Sequence, residues 1–200
     1  MKATYSWTDL LAVALTASVV GAWAGVAGGR FSPLALLACE AVFFAFYGAG
    51  SLVAAWQPLA TGALFDLPLR LLTGYAVVNT ALLVLAWISP LGIVANFGVV
   101  FVIVAALFVA CRPTRQPRGD GAVGLVAVAL GLVAATLWCQ DSLRPSAVEG
   151  NTVVFKPWID GFYHAVHIRI FAAGHGAATI EDFRMAGVPA RLYHYGAYLT

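Results

Sequence analysis

Five apolar runs, near residues 8–28, 33–56, 68–88, 91–111 and 121–139, fill most of the first 139 positions of this chain. Each is close to the roughly 20 residues that a helix needs to cross the hydrocarbon of a bilayer. The last is the shortest, yet Gly121 to Trp138 carries no charged residue. Lipid offers a backbone N–H or C=O no partner, so runs of this kind must be helices. Composition points the same way. The chain is 62% hydrophobic and 10% charged, where a soluble domain carries about 25% charged residues. The fold expected is therefore all-α: a polytopic transmembrane helix bundle of about five spans over residues 1–139, with the lipid bilayer as its main solvent. A net charge of +2, scattered along the chain, is no footprint for nucleic acid.

The breaks between runs have local causes. Gly28-Gly29-Arg30 and Pro33 separate the first two, Gln57-Pro58 and Asp66-Leu67-Pro68 frame a short loop, and Ser89-Pro90-Leu91-Gly92 reads as a tight turn. Arg112-Pro-Thr-Arg-Gln-Pro-Arg118 is the one strongly basic loop. With five spans and that loop inside, Lys2, Arg70, Arg112, Arg115 and Arg118 gather on the inner side and only Arg30 falls in a short outer loop. The positive-inside bias then sets the N-terminus in the cytoplasm and everything after Trp138 outside. The expected location is a bacterial inner membrane, crossed several times. Tyr5, Trp7, Trp56, Trp87 and Trp138 fall near span ends, the depth amphipathic rings prefer. The first run is too long for a typical signal-peptide core and leads into further spans, so it reads as a retained signal anchor.

Within the first span, Ala14, Ser18, Gly21, Gly25 and Gly28 recur at three- and four-residue steps, and Gly21, Gly25 and Gly29 repeat the close-packing pattern of membrane helices. This seam suits a dimer interface or packing within the chain; the number of spans favours packing within the chain. Glu40, about two turns inside the second span, is costly there unless it faces the bundle or a cavity, or is neutral. It either lines a substrate path or bonds to Asn79 or Asn96. Cys39, Cys111 and Cys139 match no metal or redox spacing, and their odd number argues against a disulfide framework. They read as small buried or interfacial thiols.

Residues 140–200 are of another kind, holding ten of the twenty charged residues and all four histidines. Trp158, Phe162, Tyr163, Phe171, Phe183, Tyr193, Tyr195 and Tyr198 are too much aromatic surface for a disordered tail. The pattern predicts a part-helical external segment. One helix runs from Asp160 to Ala173 and stops at Gly174, and a shorter one opens at Thr179 and stops at Gly187. The chain closes on Leu192-Tyr-His-Tyr-Gly-Ala-Tyr-Leu-Thr200, which reads as the opening of a further span in a longer protein.

On the first of these helices Asp160, His164 and His167 share a face at i, i+4 and i+7. Three chemistries fit. Asp160 as an N-cap would bond orphan backbone N–H groups, leaving the histidines solvated. Asp-x3-His-x2-His, with His175 or His194 as a fourth donor, would suit zinc or manganese. An Asp at the mouth of a bundle would also accept a proton from an attacking hydroxyl, with imidazoles to orient it and Arg169, Arg184 and Arg191 to meet phosphate.

The order Trp158-x-Asp160-x-Phe162-x-His164, Gly187-x-Pro189 and Tyr193-His194-Tyr195-Gly196-x-Tyr198-Leu199 resembles the first large external loop of integral-membrane, C-type glycosyltransferases. It is especially similar to bacterial members with a "D-x-x-x-H … G-x-P … Y-H-Y-G" loop. The resemblance implies a many-span enzyme that moves a sugar from a polyprenyl-phosphate donor to an acceptor on the outer face. It implies Asp160 as base or metal ligand with His164 beside it, and Tyr193, His194 and Tyr195 closing the pocket. Beside the resemblance, Trp158 suits the depth of a lipid-phosphate head, Arg191 suits its phosphate, and His167 shares the face of Asp160 and His164, which makes these three further substrate-binding candidates. The cofactor stays undefined beyond a possible divalent metal. The alternative function is non-enzymatic: a membrane scaffold or transport subunit for envelope polysaccharide, with Asp160 only a cap.

Overall fold

The structure is a computed structural model and describes residues 3–27, 32–57, 63–115, 121–143, 145–149 and 152–155. Five helices account for most of it: α1 (Trp7–Ala27), α2 (Pro33–Trp56), α3 (Ala63–Ile88), α4 (Ile93–Ala110) and α5 (Gly121–Leu143). They form an all-α bundle at the five places where the sequence holds its apolar runs. By length and composition, α2, most of α3 (Phe65–Ile88) and α4 are each able to cross a membrane, which makes this a membrane protein. The helices α1 and α5 contribute shorter apolar stretches, Trp7–Trp23 and Val123–Leu137. Their full backbone runs of 21 and 23 residues reach about 32 and 35 Å at 1.5 Å per residue.

Local chemistry sets the helix ends. Ser6 precedes α1 and its Oγ accepts the Thr8 N–H at 3.2 Å, while Asp9 complements the positive end of the helix dipole. Ser32 caps α2 by accepting the Ala35 N–H at 3.3 Å, and Pro33 occupies the first helical position, where its missing N–H costs nothing. Gly92 opens α4 after a turn in which Ser89 Oγ accepts the Leu91 N–H. At the other end of α4, Cys111 is the C-cap and Arg112 follows it with φ 47°. The Arg112 N–H bonds the Val109 carbonyl at 3.0 Å. This is the left-handed position that usually falls to glycine.

One boundary differs from the sequence reading. Asp66-Leu67-Pro68 does not frame a loop: α3 begins at Ala63 and contains Pro68. Pro68 is the sixth residue of α3, so the helix forgoes there the N–H bond to the carbonyl four residues back.

Helix α2 is the centre of the bundle, packing against α3, α1 and α4, while α5 lies along α1. Its segment Ala45–Ser51 is buried without a break. Antiparallel registers tie it to its neighbours. Asp9, Ser18 and Gly21 climb α1 as their partners Tyr47, Glu40 and Leu36 descend α2. Against α3 the approach is backbone to backbone. A Cβ on Gly50 would overlap the Arg70 carbonyl, and one on Gly74 would overlap the Phe46 carbonyl. Lipid tails are as apolar as leucine, so such close packing, rather than escape from water, is what holds membrane helices together. The seam in α1 behaves the same way: a Cβ on Gly21 would sit 3.0 Å from Leu36 Cα. At Ser18 and Gly21 the seam therefore packs within the chain.

Short strands dress the ends. β1 (Thr4–Tyr5) pairs in parallel with β2 (Thr114–Arg115), and β3 (Pro145–Glu149) forms an antiparallel hairpin with β4 (Thr152–Phe155). The first ladder joins the residues before α1 to those after α4, so both lie at one end of the bundle. Leu125 and Val128 of α5 pack with Ala12 and Val13 of α1 and with Tyr47 and Leu67. Helix α5 thus starts at that same end and runs away from it.

Candidate functional site

Trp158, Asp160, His164, His167, Arg191, Tyr193, His194 and Tyr195, the residues singled out from the sequence, lie outside the described residues. So do His175, Arg169 and Arg184, and the two helices expected after residue 159. The described part of the chain holds two other polar sites, both inside the bundle.

The first is at the β1–β2 end. Arg70, in the second turn of α3, is nearly buried. Its Nη1 donates to the Thr4 carbonyl at 2.7 Å and to Ser51 Oγ at 3.3 Å, and its Nη2 donates to Thr4 Oγ1 at 3.1 Å. Its Nε lies 3.1 Å from Asp66 Oδ2, four residues back on the same helix face. That N–H is poorly aligned and makes no hydrogen bond, so charge attraction alone holds this edge. One guanidinium thereby ties the N-terminal strand to α2 and α3. Its fork geometry suits this role, since the donors diverge in fixed directions. Beside it, Tyr47 Oη donates to buried Asp9 Oδ2 at 3.4 Å. The cluster is occupied by its own members and acts as a clamp.

The second site is the α1–α2 seam, where Ser18 Oγ donates to Glu40 Oε1 at 2.8 Å. The partner is Ser18, not Asn79 or Asn96. Those amides bond backbone close by in sequence: Asn79 Nδ2 donates to the Tyr75 carbonyl on its own helix and Asn96 Nδ2 to the Leu91 carbonyl in the turn before α4. A carboxylate offers about four acceptor positions, so Glu40 keeps capacity for a proton or a further donor. Among the described residues no three His, Cys, Asp or Glu side chains gather as a metal site.

The sequence carried a signal for both sites. Asp9, Glu40 and Arg70 are the charges embedded in the first three apolar runs, and charge in that setting marks either a function or a buried partner. Thr4 and Ser51 carried none, because one is a threonine outside the apolar runs that acts through both its carbonyl and its hydroxyl, and the other is a small polar residue in a helix.

Between α1, α2 and α4 lies an apolar cleft of about 170 Å³, lined by Leu10, Phe44, Tyr47, Phe101, Val104 and Phe108. Helices α1 and α4 each pack on α2 and leave this gap beside it.

Comparison with protein-family models, with characterised proteins and with solved structures finds no match to this chain.

Proposed function

We propose that the chain is a glycosyltransferase-like protein of a bacterial inner membrane, moving a sugar from a polyprenyl-phosphate donor to an acceptor on the outer face. In this reading the N-terminus is cytoplasmic, Asp160 is the base or a metal ligand, His164 assists it, and Trp158, His167, Arg191, Tyr193, His194 and Tyr195 form the donor and acceptor pocket.

The observation that carries the reading is the direction of α5. The β1–β2 ladder gathers the N-terminal residues, Arg112 and Arg115 at one end of the bundle. Helix α5 leaves that end, so its last residue, Leu143, is at the other. Basic residues favour the cytoplasmic side. In this reading the Asp- and His-bearing segment, which follows α5 in the chain, belongs to the outer face, where a lipid-linked sugar would present its head. Transfer with inversion needs a base for the attacking hydroxyl and stabilisation of the leaving phosphate, and Asp160 and Arg191 supply those two chemistries.

The test is sugar transfer in membranes carrying the full-length protein and a polyprenyl-phosphate sugar donor. Asp160→Asn is expected to abolish product while leaving folded yield intact. Product at the wild-type level would remove the enzyme reading. Loss of folded yield alone from Asp160→Ala would leave Asp160 as a helix cap and favour a scaffold or transport subunit for envelope polysaccharide.

A further inference from the structure

We infer that the cleft between α1, α2 and α4 is a binding site for one anionic phospholipid, its acyl chain in the cleft and its phosphate against Arg112 and Arg115. This does not depend on the sugar-transfer reading.

The lining argues for hydrocarbon. Phe44, Phe101, Val104, Phe108 and Leu10 leave almost no polar surface in the cleft, and Tyr47, which also borders it, directs its hydroxyl to Asp9. The volume of about 170 Å³ resembles apolar cavities of roughly 150 Å³ that stay dry and admit a benzene-sized guest. It accommodates a few methylenes of a chain whose remainder lies in the bilayer. Gly48 on the floor helps set this space, since a Cβ there would sit 3.0 Å from Val104 Cγ1.

Position and charge argue for an anionic lipid. Leu10 lies in the first turn of α1, and Ala105 and Phe108 in the last turns of α4. The cleft therefore sits in the half of the bundle nearest the β1–β2 ladder. Arg112 follows Phe108 by four residues and is exposed; Arg115 is exposed on β2. Asp9, next to Leu10 in sequence, is buried and bonded to Tyr47, so it does not offset that charge at the surface. A headgroup at this level meets two cations, while its tail enters the cleft below them. The left-handed backbone at Arg112 puts a charged residue where glycine is the ordinary choice, and strain of this kind collects at functional positions.

The experiment is native mass spectrometry of the full-length protein, titrated separately with phosphatidylglycerol and phosphatidylcholine. The wild type is expected to retain one phosphatidylglycerol at least about tenfold more strongly than phosphatidylcholine, the scale that two arginines give against an anionic headgroup. R112Q/R115Q should bring the two lipids near parity. Ala105 is exposed at the cleft, so Ala105→Trp should block it and abolish retention of either lipid. Equal retention of both lipids by the wild type would overturn the proposal. So would undiminished retention by Ala105→Trp, or a lipid-free dimer that Ala105→Trp dissociates, which would make the occupant a second copy. The arginine pair lies on the surface and decides the matter should the tryptophan unsettle the bundle.

Discussion

Ser18 on α1 donates a 2.8 Å hydrogen bond to Glu40 on α2, a polar contact between these two helices like that of Tyr47 with Asp9 nearer the start of α1. It lies one turn from Gly21, where α1 comes within a methyl group's width of the Leu36 backbone. Close approach and hydrogen bond support each other: the glycine brings the helices together, and the serine then reaches the carboxylate.

Ser18→Ala should therefore destabilise the bundle by about 1–3 kcal/mol, the cost of a half-buried acceptor losing its donor. Glu40→Gln keeps an acceptor opposite the serine hydroxyl and should cost less. The double variant Ser18→Ala/Glu40→Leu should be less damaging than the sum of Ser18→Ala and Glu40→Leu, because one bond is lost only once. Thermal unfolding in detergent, followed by helical circular dichroism, reads all four variants. Strict additivity would mean that the contact contributes nothing.

Glycines divide into two groups with opposite expectations. Gly50→Ala and Gly74→Ala should each cost about 3 kcal/mol or more, because the new methyl overlaps backbone across the α2–α3 contact and only a helix shift relieves it. Gly98, Gly124 and Gly131 have nothing near the space a Cβ would take. Alanine there should be neutral or stabilise by up to about 1 kcal/mol through helix propensity. The same unfolding assay separates the groups.

Arg70 gives a third prediction. Arg70→Met removes the guanidinium's bonds to Thr4 and its ion pair with Asp66, at about 3 kcal/mol. Arg70→Lys should not restore stability, since a single ammonium cannot serve Thr4, Ser51 and Asp66 in diverging directions. Residues before α1 should become protease-sensitive at concentrations that leave the helices intact. Protection equal to wild type would show that the β1–β2 ladder alone holds the strand.

Much of this was legible in the sequence, for reasons that also mark where reading failed. Pro33 and the Ser89-Pro90-Leu91-Gly92 turn announced helix boundaries because proline and tight-turn residues act locally. Pro68 misled by the same rule: it sits inside α3, where the helix continues past the one bond it lacks. The seam in α1 foretold close packing, yet the partner of Glu40 was sought among amides when Ser18 of that seam was already the match. Arg70 was grouped with Arg112 and Arg115, whose end of the bundle it shares, but as a loop charge; its burial depends on the Thr4 carbonyl, and a backbone acceptor leaves no trace in side-chain pattern. The two-residue β1–β2 ladder is too short to show as an alternation. The Asp160 constellation lies outside the described residues, and its placement there rests on the residues themselves.

Sidedness is the last expectation, and the bundle fixes what must be measured. Thr114 pairs with Thr4 at the start of the chain, while Ala147 lies in the hairpin beyond α5. In a background with Cys39, Cys111 and Cys139 replaced by serine, Thr114→Cys and Ala147→Cys should react with a membrane-impermeant maleimide from opposite sides. Thr114→Cys should react only in inverted vesicles, since Arg112 and Arg115 beside it follow the inner-side preference of basic residues. Ala147→Cys should react in intact cells. Labelling of both only in inverted vesicles would mean that α5 does not cross, and the segment bearing Asp160 would then face the cytosol, where a donor presented on the outer face is out of reach.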